Sequence, residues 1–275
     1  MGQRITVVDA FTHVAYAGNP AAVCLLDRPT TDEWMQSIAR EMRHSETAFC
    51  IPLQDGTFEL RWFTPNGEVG LCGHATLATA HVLWEEGVLE PRRPAQFSTL
   101  SGPLSATPRG RQIELDFPAR RPSEVEAPTG LLDALGVTAD WVGRDVDDYL
   151  VLVEDVAAVR ACTPDFRALH AVEARGVIVT APGAPESVDF VSRFFAPRFG
   201  VDEDPVTGSA HCSLTPFWAD RLGKLVLVAR QLSARGGEIQ VELTGDRVKL
   251  RGTCVTTLRG SLAESAPRPS SWSHR

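Results

Sequence analysis

The sequence predicts an α+β protein made of two similar domains. The chain has 275 residues, of which 43% are hydrophobic and 23% charged, so it is long and apolar enough to bury a core in each of two modest domains. A segment that reads as strand, turn and helix begins at Phe58, and a similar one begins at Phe190. Helical and strand periodicities also alternate in both halves. A duplicated fold accounts for all three observations.

The duplication is visible residue by residue. Residues 62–75 resemble 194–210, with three residues inserted in the second copy between an aromatic pair and a helix that starts at glycine. Downstream, residues 102–115 match 237–250 at a constant spacing of 135. Both of these stretches alternate apolar and polar residues across a glycine, as β-hairpins do. We therefore expect the two halves to share one topology.

The other elements follow from local signals. Thr30 with Glu33 matches a capping box, and apolar residues then recur every fourth position as far as Met42, which predicts a helix. A strand is expected at 47–52. The elements predicted in the second half are a helix at 164–170 with Thr163 as its N-cap, and strands near 149–154 and 177–180.

A proline-bearing stretch at 117–128 has little apolar periodicity and predicts the linker. The domains are accordingly an N-terminal lobe at 1–118 and a C-terminal lobe at 119–275, with the active site in the cleft between them. The polar residues 267–275 are expected to pack back or to fray.

Composition excludes several classes of protein. The 35 acidic and 27 basic side chains leave a net charge of −8, which disfavours nucleic acid and anionic membranes as partners. No apolar run approaches the roughly 20 residues of a membrane helix, and the N-terminus does not resemble a signal peptide. The six cysteines contain no CxxC pair, which is typical of free thiols. We expect a cytoplasmic protein that acts on a small molecule.

Each repeat places a glycine and small residues at the start of a helix: Gly73 and Ala75 in one, Gly208 and Ala210 in the other. The free N–H groups and the positive end of the dipole at such a start attract a carboxylate or phosphate. Glycine could alternatively serve only to make a tight turn, but a matched pair favours an anion site.

Two carboxylates stand out as acid/base candidates. Glu46 opens an apolar run, and Asp204 precedes Pro205 immediately before the second glycine-led helix. A carboxyl group desolvated in such a place can exchange protons near neutral pH. The alternative is that these acids only complement a helix dipole.

Cofactor and metal signatures are weak. Cys72, His74, His211 and Cys212 include zinc-ligand types, but neighbouring helix residues point about 100° apart and there is no CxxC or HxxxH spacing. The chain also lacks a GxGxxG fingerprint and a P-loop. We therefore predict no metal and no cofactor. An activated thiol at Cys72, beside His74 or His81, is a less favoured alternative.

Several blocks resemble one family. LCGHATLA (71–78) and EDPVTGSAH (203–211) are similar to signature blocks of the PhzF-like phenazine-biosynthesis isomerases, and VDAFTHVAYAGNPAAV (8–23), SETAF (45–49) and RGGEIQVEL (235–243) fit as well. The last block is similar to the phenazine-biosynthesis-like domain subgroup. The resemblance implies the diaminopimelate epimerase fold, in which each of two domains wraps a curved, mostly antiparallel sheet around a central helix. It also implies a homodimer.

The resemblance further implies a mechanism. The founding enzyme of the family shifts a proton and a double bond in a dihydro-hydroxyanthranilate without cofactor or metal. Its catalytic residues correspond to Glu46 as the acid/base group, with His74, Asp204 and Ser209. The substrate acid is expected to rest against the two helix starts, which comprise Cys72, Gly73, Ala75, Thr207, Gly208 and Ala210.

Two other functions stay open at this point. The epimerase branch of this fold uses two cysteines, and an epimerase or double-bond isomerase of a cyclic, proline-type amino acid is one alternative. Cys72 corresponds to the first such cysteine, but Thr207 stands at the matching position of the second repeat, which disfavours two-thiol chemistry. The other alternative is a binding module that has kept the fold without the reaction.

Overall fold

The chain consists of two compact units. A computed structural model describes residues 2–184, 186–264 and 266–267. The first unit holds the chain up to Tyr16, Pro20–Leu115 and the part from Gly252 onward, whereas the second holds Ala17–Asn19 and Asp116–Arg251. The predicted boundary after residue 118 lies three residues beyond this division. Both units are discontinuous in the chain, a feature that the prediction did not contain.

Ten elements precede the unit boundary or cross it. They are β1 (Arg4–Ala10), β2 (Asn19–Leu25), α1 (Asp32–Met42), β3 (Glu46–Pro52), β4 (Phe58–Phe63), β5 (Glu68–Val69), α2 (Gly73–Glu85), β6 (Ala95–Thr99), β7 (Gly102–Arg109) and β8 (Gln112–Pro118). Strand β2 pairs parallel with β3, β3 antiparallel with β4, and β4 parallel with β6. The pairs β6–β7 and β7–β8 are antiparallel.

The rest of the chain repeats this arrangement. Its elements are β9 (Ser123–Glu124), α3 (Leu131–Leu135), β10 (Trp141–Arg144), β11 (Asp148–Leu152), α4 (Val156–Ala161), α5 (Phe166–Leu169), β12 (Gly176–Pro182), β13 (Phe190–Phe195), a 3-10 turn (Pro197–Phe199), α6 (Gly208–Leu222), β14 (Val226–Gln231), β15 (Gly237–Thr244), β16 (Arg247–Gly252) and β17 (Cys254–Ser261). From β11 to β16 the pairings run parallel, antiparallel, parallel, antiparallel and antiparallel. This is the sequence of pairings from β2 to β8 with the short β5 left out, so the predicted duplication is confirmed.

The hairpins show the repeat most exactly. Strands β7 and β15 begin 135 residues apart, as do β8 and β16. Both hairpins turn over two residues, the first of which is Gly110 or Gly245 with φ of 64° or 61°. Glycine adopts this left-handed conformation without the steric cost that a Cβ brings. The same residue type therefore recurs at the same spacing because the same turn recurs.

Each unit encloses one helix. Helix α2 buries residues on all of its faces and packs against β1, β3 and β7, while α6 packs against β14 and β15. A helix that is apolar all round must lie inside its domain. The starts of α2 and α6 therefore belong to helices that pack against the strands of their own units.

Helix α6 accommodates an internal proline. Pro216 has no N–H, so the carbonyl of Cys212 one turn earlier loses its helical partner. The backbone N–H of Arg120 donates to that carbonyl at 2.9 Å. The predicted linker thus replaces the hydrogen bond that Pro216 removes.

Two predicted helix starts were wrong. The N-cap of α1 is Thr31, whose hydroxyl accepts from the N–H of Trp34 at 3.3 Å, while Thr30 donates to the carbonyl of Pro267 at 3.0 Å. Helix α5 is capped by Asp165 rather than by Thr163. In the first case a partner distant in sequence engages the predicted cap. In the second a carboxylate accepts two amide N–H groups at 3.0 Å each, where a hydroxyl offers a weaker acceptor.

The strands predicted near 47–52, 149–154 and 177–180 are present as β3, β11 and β12, with ends shifted by one or two residues. All six cysteines are free thiols. No helix in the described ranges combines the length and apolar character needed to cross a membrane. Of the predicted polar tail, residues 268–275 lie outside the described residues.

Candidate active site

In the first unit, three side chains meet at the start of α2. Glu46 is the first residue of β3, Cys72 is the N-cap of α2 and His74 is the second residue of that helix. Nε2 of His74 lies 3.3 Å from Oε2 of Glu46, and Nδ1 lies 3.5 Å from Sγ of Cys72. The structure therefore brings together Glu46 and His74, two of the four predicted catalytic residues.

His74 is neutral under ordinary conditions. Its side chain is 6% exposed, and burial, together with the electrostatic interaction with His44, lowers its pKa to about 3. A neutral imidazole has one donor and one acceptor nitrogen. An ionised carboxylate only accepts, so the contact with Glu46 favours a proton on Nε2 and leaves Nδ1 to accept from the thiol of Cys72.

The two buried helices start alike. Cys72 caps α2 and Thr207 caps α6, both with extended backbone, and neither side chain accepts a hydrogen bond from its helix. The first-turn N–H groups have no acceptor inside the helix itself. The starts at Gly73 and Gly208, each followed two residues later by alanine, are thus suited to bind an anion.

In the second unit, Asp204 is held by two side-chain donors. Asn19 donates to its Oδ1 at 2.8 Å, and the Thr207 hydroxyl donates to its Oδ2. Asp204 is 9% exposed. Burial raises its pKa to about 6, although the hydrogen bonds from Thr207 and Asn19 favour the ionised form and act against that rise. This carboxyl group therefore changes charge close to physiological pH.

Sequence reasoning missed the residues that hold this turn in place. The fully buried Gln231 donates to the carbonyl of Asp204 at 2.7 Å and accepts from the N–H of Thr207 at 3.0 Å. Arg235 donates to the carbonyl of Gly18 at 2.8 Å and so fixes the segment that carries Asn19. Asn19 and Arg235 fall inside the motif blocks described above, whereas Gln231 sits in an ordinary strand pattern that carries no signal.

Ser209, the fourth predicted catalytic residue, is paired with an arginine. Nη1 of Arg175 donates to its Oγ at 2.8 Å, and the same guanidinium forms an ion pair with the fully buried Asp148. Neither charged residue was predicted. Arg175 is 27 residues from Asp148 and 34 residues from Ser209 in the sequence, so no local spacing indicates these contacts.

The possible metal ligands fall into two groups. His211 donates from Nδ1 to the carbonyl of Thr207 at 2.8 Å, and Cys212 lies 3.7 Å from the carbonyl of Gly208. Each of these side chains therefore interacts with the preceding turn of its own helix. Within the described residues, one trio can direct histidine, cysteine and carboxylate atoms at one point: Glu46, Cys72 and His74.

For Asp204 we predict a specific pH dependence of stability. Its pKa is raised from 3.8 to about 6, so the folded state binds the proton more tightly than the unfolded chain does. The associated stabilisation is complete below pH 3.8 and is lost as the pH rises through about 6. As the pH rises from about 4 to about 7, wild type should lose up to about 3 kcal/mol of unfolding free energy that Asp204→Asn does not lose. The difference in stability between the two proteins should therefore change by that amount in favour of the variant.

The measurement is urea unfolding at both pH values. Asp202→Asn is the control, because Asp202 is exposed two residues away. Equal pH responses of Asp204→Asn and wild type would contradict the assignment.

Comparison with known proteins agrees with the motifs. Residues 8–260 match the family model described as phenazine biosynthesis-like protein, PhzC-PhzF. An uncharacterised isomerase of Halalkalibacterium halodurans is 50% identical over 263 residues, which cover 95% of this chain and 99% of the relative. The crystal structure of a PhzF-family phenazine biosynthesis protein of Enterococcus faecalis is 41% identical with a TM-score of 0.91, covering 95% of this chain and 99% of that one.

A predicted epimerase of Pseudomonas aeruginosa shares the fold, with a TM-score of 0.77 at 21% identity and coverage of 96% of this chain and 100% of that one. The expected diaminopimelate epimerase-like fold is confirmed by this likeness and by the two matching units. The chain belongs to the phenazine biosynthesis-like (PhzC-PhzF) family and is one of its isomerases.

Proposed function

We propose that this isomerase moves a proton, and with it a double bond, within a small unsaturated amino or hydroxy carboxylic acid, without a cofactor. The observation that carries the proposal is the pairing of Glu46 with His74 at the start of α2. The Glu46 side chain is 18% exposed, so it is largely removed from water yet within reach of a small molecule. Such a carboxylate is suited to act as both base and acid.

The proposed reaction conserves all atoms and electrons. Glu46 removes a proton from one carbon, the electron pair of that C–H bond shifts the double bond, and Glu46 returns the proton to another carbon of the conjugated system. His74, with Nε2 lying 3.3 Å from Oε2 of Glu46, would hold that carboxylate in position. No oxidant or reductant takes part.

We propose a binding role for the second unit as well. Each helix start, at Gly73 and at Gly208, would stabilise a carboxylate or the charge that develops as a proton leaves. Ser209, oriented by Arg175, would donate to that carboxylate. Asp204 would bind the amino or hydroxyl group, since its pKa of about 6 lets it accept or donate.

Solvent deuterium tests the reaction type. Protein dialysed against a chelator is incubated in D₂O with a panel of unsaturated amino and hydroxy acids, and the products are followed by NMR. The proposal expects deuterium at one carbon together with a moved alkene. Incorporation with inversion and no alkene shift would identify an epimerase, and no incorporation across the panel would favour a binding module.

The structure bears on the epimerase alternative. Cys72 and Thr207 are the N-caps of the two equivalent helices, so the second of the two thiols is replaced by a hydroxyl. We therefore expect Cys72→Ala to lower turnover by less than about tenfold, which corresponds to about 1.4 kcal/mol of transition-state stabilisation.

The assay is the deuterium exchange described above, with circular dichroism to verify folding. A loss of activity for Cys72→Ala as large as the loss for a Glu46 variant would point to thiol chemistry instead.

A further inference from the structure

The trio at the start of α2 offers one ligand of each kind that zinc prefers. Sγ of Cys72 lies 4.0 Å and Oε2 of Glu46 lies 3.3 Å from Nε2 of His74. The three donor atoms all lie within 4.8 Å of one another. Thiolate, imidazole and carboxylate are the established protein ligands of Zn²⁺.

The two separations from Nε2 of His74 are close to those that a zinc ion would impose, and the third, between Cys72 and Glu46, is at most 4.8 Å. Zinc bonds of about 2.3 Å to sulfur and about 2.0 to 2.2 Å to nitrogen or oxygen, arranged as a tetrahedron, separate the ligand atoms by about 3.4 to 3.6 Å. The distance from histidine to glutamate already matches, and the distance from cysteine to histidine exceeds it by a few tenths of an ångström. Small side-chain rotations would close this gap.

The backbone that carries the trio is already in place. Glu46 lies in the register of β3, paired with Ala21 of the parallel strand β2, and the carbonyl of Cys72 accepts the first helical hydrogen bond of α2, from Thr76 at 3.1 Å. Metal sites bind well when their ligands come from rigid elements rather than from loops. Cation binding would therefore cost little conformational entropy.

We propose that Glu46, Cys72 and His74 bind a thiophilic divalent cation such as Zn²⁺, and that the bound cation inhibits the isomerase. Three protein ligands leave a fourth position for water. Binding releases the proton of the Cys72 thiol to solvent and shifts the imidazole proton of His74 from Nε2 to Nδ1, so that Nε2 can donate its lone pair to the cation. The inhibitory part rests on the proposed role of Glu46, because a carboxylate that donates its electron pair to a cation is a poorer base.

A neighbouring pair in the same helix provides a matched control. His81 lies 3.6 Å from Glu85, so this pair combines imidazole and carboxylate about two turns further along α2. The described residues add no third ligand of this kind there. His81→Gln should leave cation binding at the trio unchanged. Cys72→Ser should weaken it by at least about 10- to 100-fold, the loss that even an outer-shell change brings.

The experiment separates binding from inhibition. Chelator-treated wild type, Cys72→Ser and His81→Gln are titrated with Co²⁺ and scanned for the thiolate-to-cobalt charge-transfer band in the near ultraviolet. Zn²⁺ is then used to displace the cobalt, and deuterium exchange is measured with and without Zn²⁺. We expect the band in wild type and His81→Gln, its absence in Cys72→Ser, and inhibition of wild type that parallels occupancy.

The cobalt spectrum and the exchange assay test the cation site, its inhibitory role and the proposed function separately. Absence of the band in wild type, or its persistence in Cys72→Ser, would overturn the cation site whatever the activity. A band accompanied by unchanged or faster exchange would overturn the inhibitory role. If the protein catalyses no exchange at all, the proposed function fails, while the cobalt spectrum still decides whether the site binds a cation.

Discussion

Glu46→Gln reduces turnover about 10²- to 10⁴-fold, the usual cost of losing a well-placed acid/base group, and leaves the fold intact. Glutamine keeps the shape of the side chain and an oxygen that can accept from Nε2 of His74, which now lies 3.3 Å from the carboxylate. It cannot take up or return a proton at a carbon. The loss should therefore appear in the rate of deuterium exchange and not in binding of the substrate acid.

The control is Glu41→Gln, which removes an exposed carboxylate five residues earlier in the chain. Turnover of that variant should equal wild type. Urea unfolding of all three proteins checks that any loss is chemical rather than structural. Wild-type turnover in Glu46→Gln would remove Glu46 from the mechanism.

Arg175→Ala destabilises the protein by about 3 to 5 kcal/mol, the range for breaking a buried ion pair by removing one partner. Asp148 is fully buried and relies on this guanidinium. Burial raises the pKa of Asp148, and Arg175 counteracts that rise. Without the arginine, the carboxyl group must stay charged without its partner or take up a proton, and either costs free energy.

Replacing both partners distinguishes a lost contact from a stranded charge. The double variant Arg175→Leu with Asp148→Leu should recover much of the stability, since well-packed apolar residues often substitute for a buried ion pair. Arg121→Ala is the control, because its partner Asp220 is 65% exposed and such pairs contribute at most about 1 kcal/mol. Urea unfolding measures all of them, and a loss below about 1 kcal/mol in Arg175→Ala would contradict the prediction.

Local sequence patterns correctly predicted the turns and helix starts that depend on a few neighbouring residues. The hairpins at Gly110 and Gly245 and the glycine-led helices appear where the repeat placed them, because turn chemistry and periodicity act over a few residues. The cap of α1 was misplaced by one residue, because Thr30 instead donates to Pro267 at the other end of the chain. Local helix-capping propensity cannot predict a hydrogen bond to a residue so distant in the sequence.

The candidate site divides in the same way. The family resemblance predicted Glu46 and His74 as members of one catalytic set, and the structure brings these two together. The donor that Asn19 provides to Asp204 spans 185 residues, and the contact of Arg175 with Ser209 spans 34. Hydrogen bonds across such distances depend on how strands and helices pack, and no residue spacing in a single sequence encodes them.

The pairing of β17 with β1 has a consequence for how the polypeptide acquires its structure. Strand β1 (Arg4–Ala10) can pair with β17 (Cys254–Ser261) only after β17 has been synthesised. The first unit, most of which is translated early, is therefore completed only when translation reaches β17. Folding that depends on such widely separated segments is slow, and until β17 is added the backbone N–H and C=O groups along one edge of β1 lack their partners. Truncation at Gly252 should therefore damage the beginning of the chain more than its end, and limited proteolysis of that fragment would show early cleavage before residue 115.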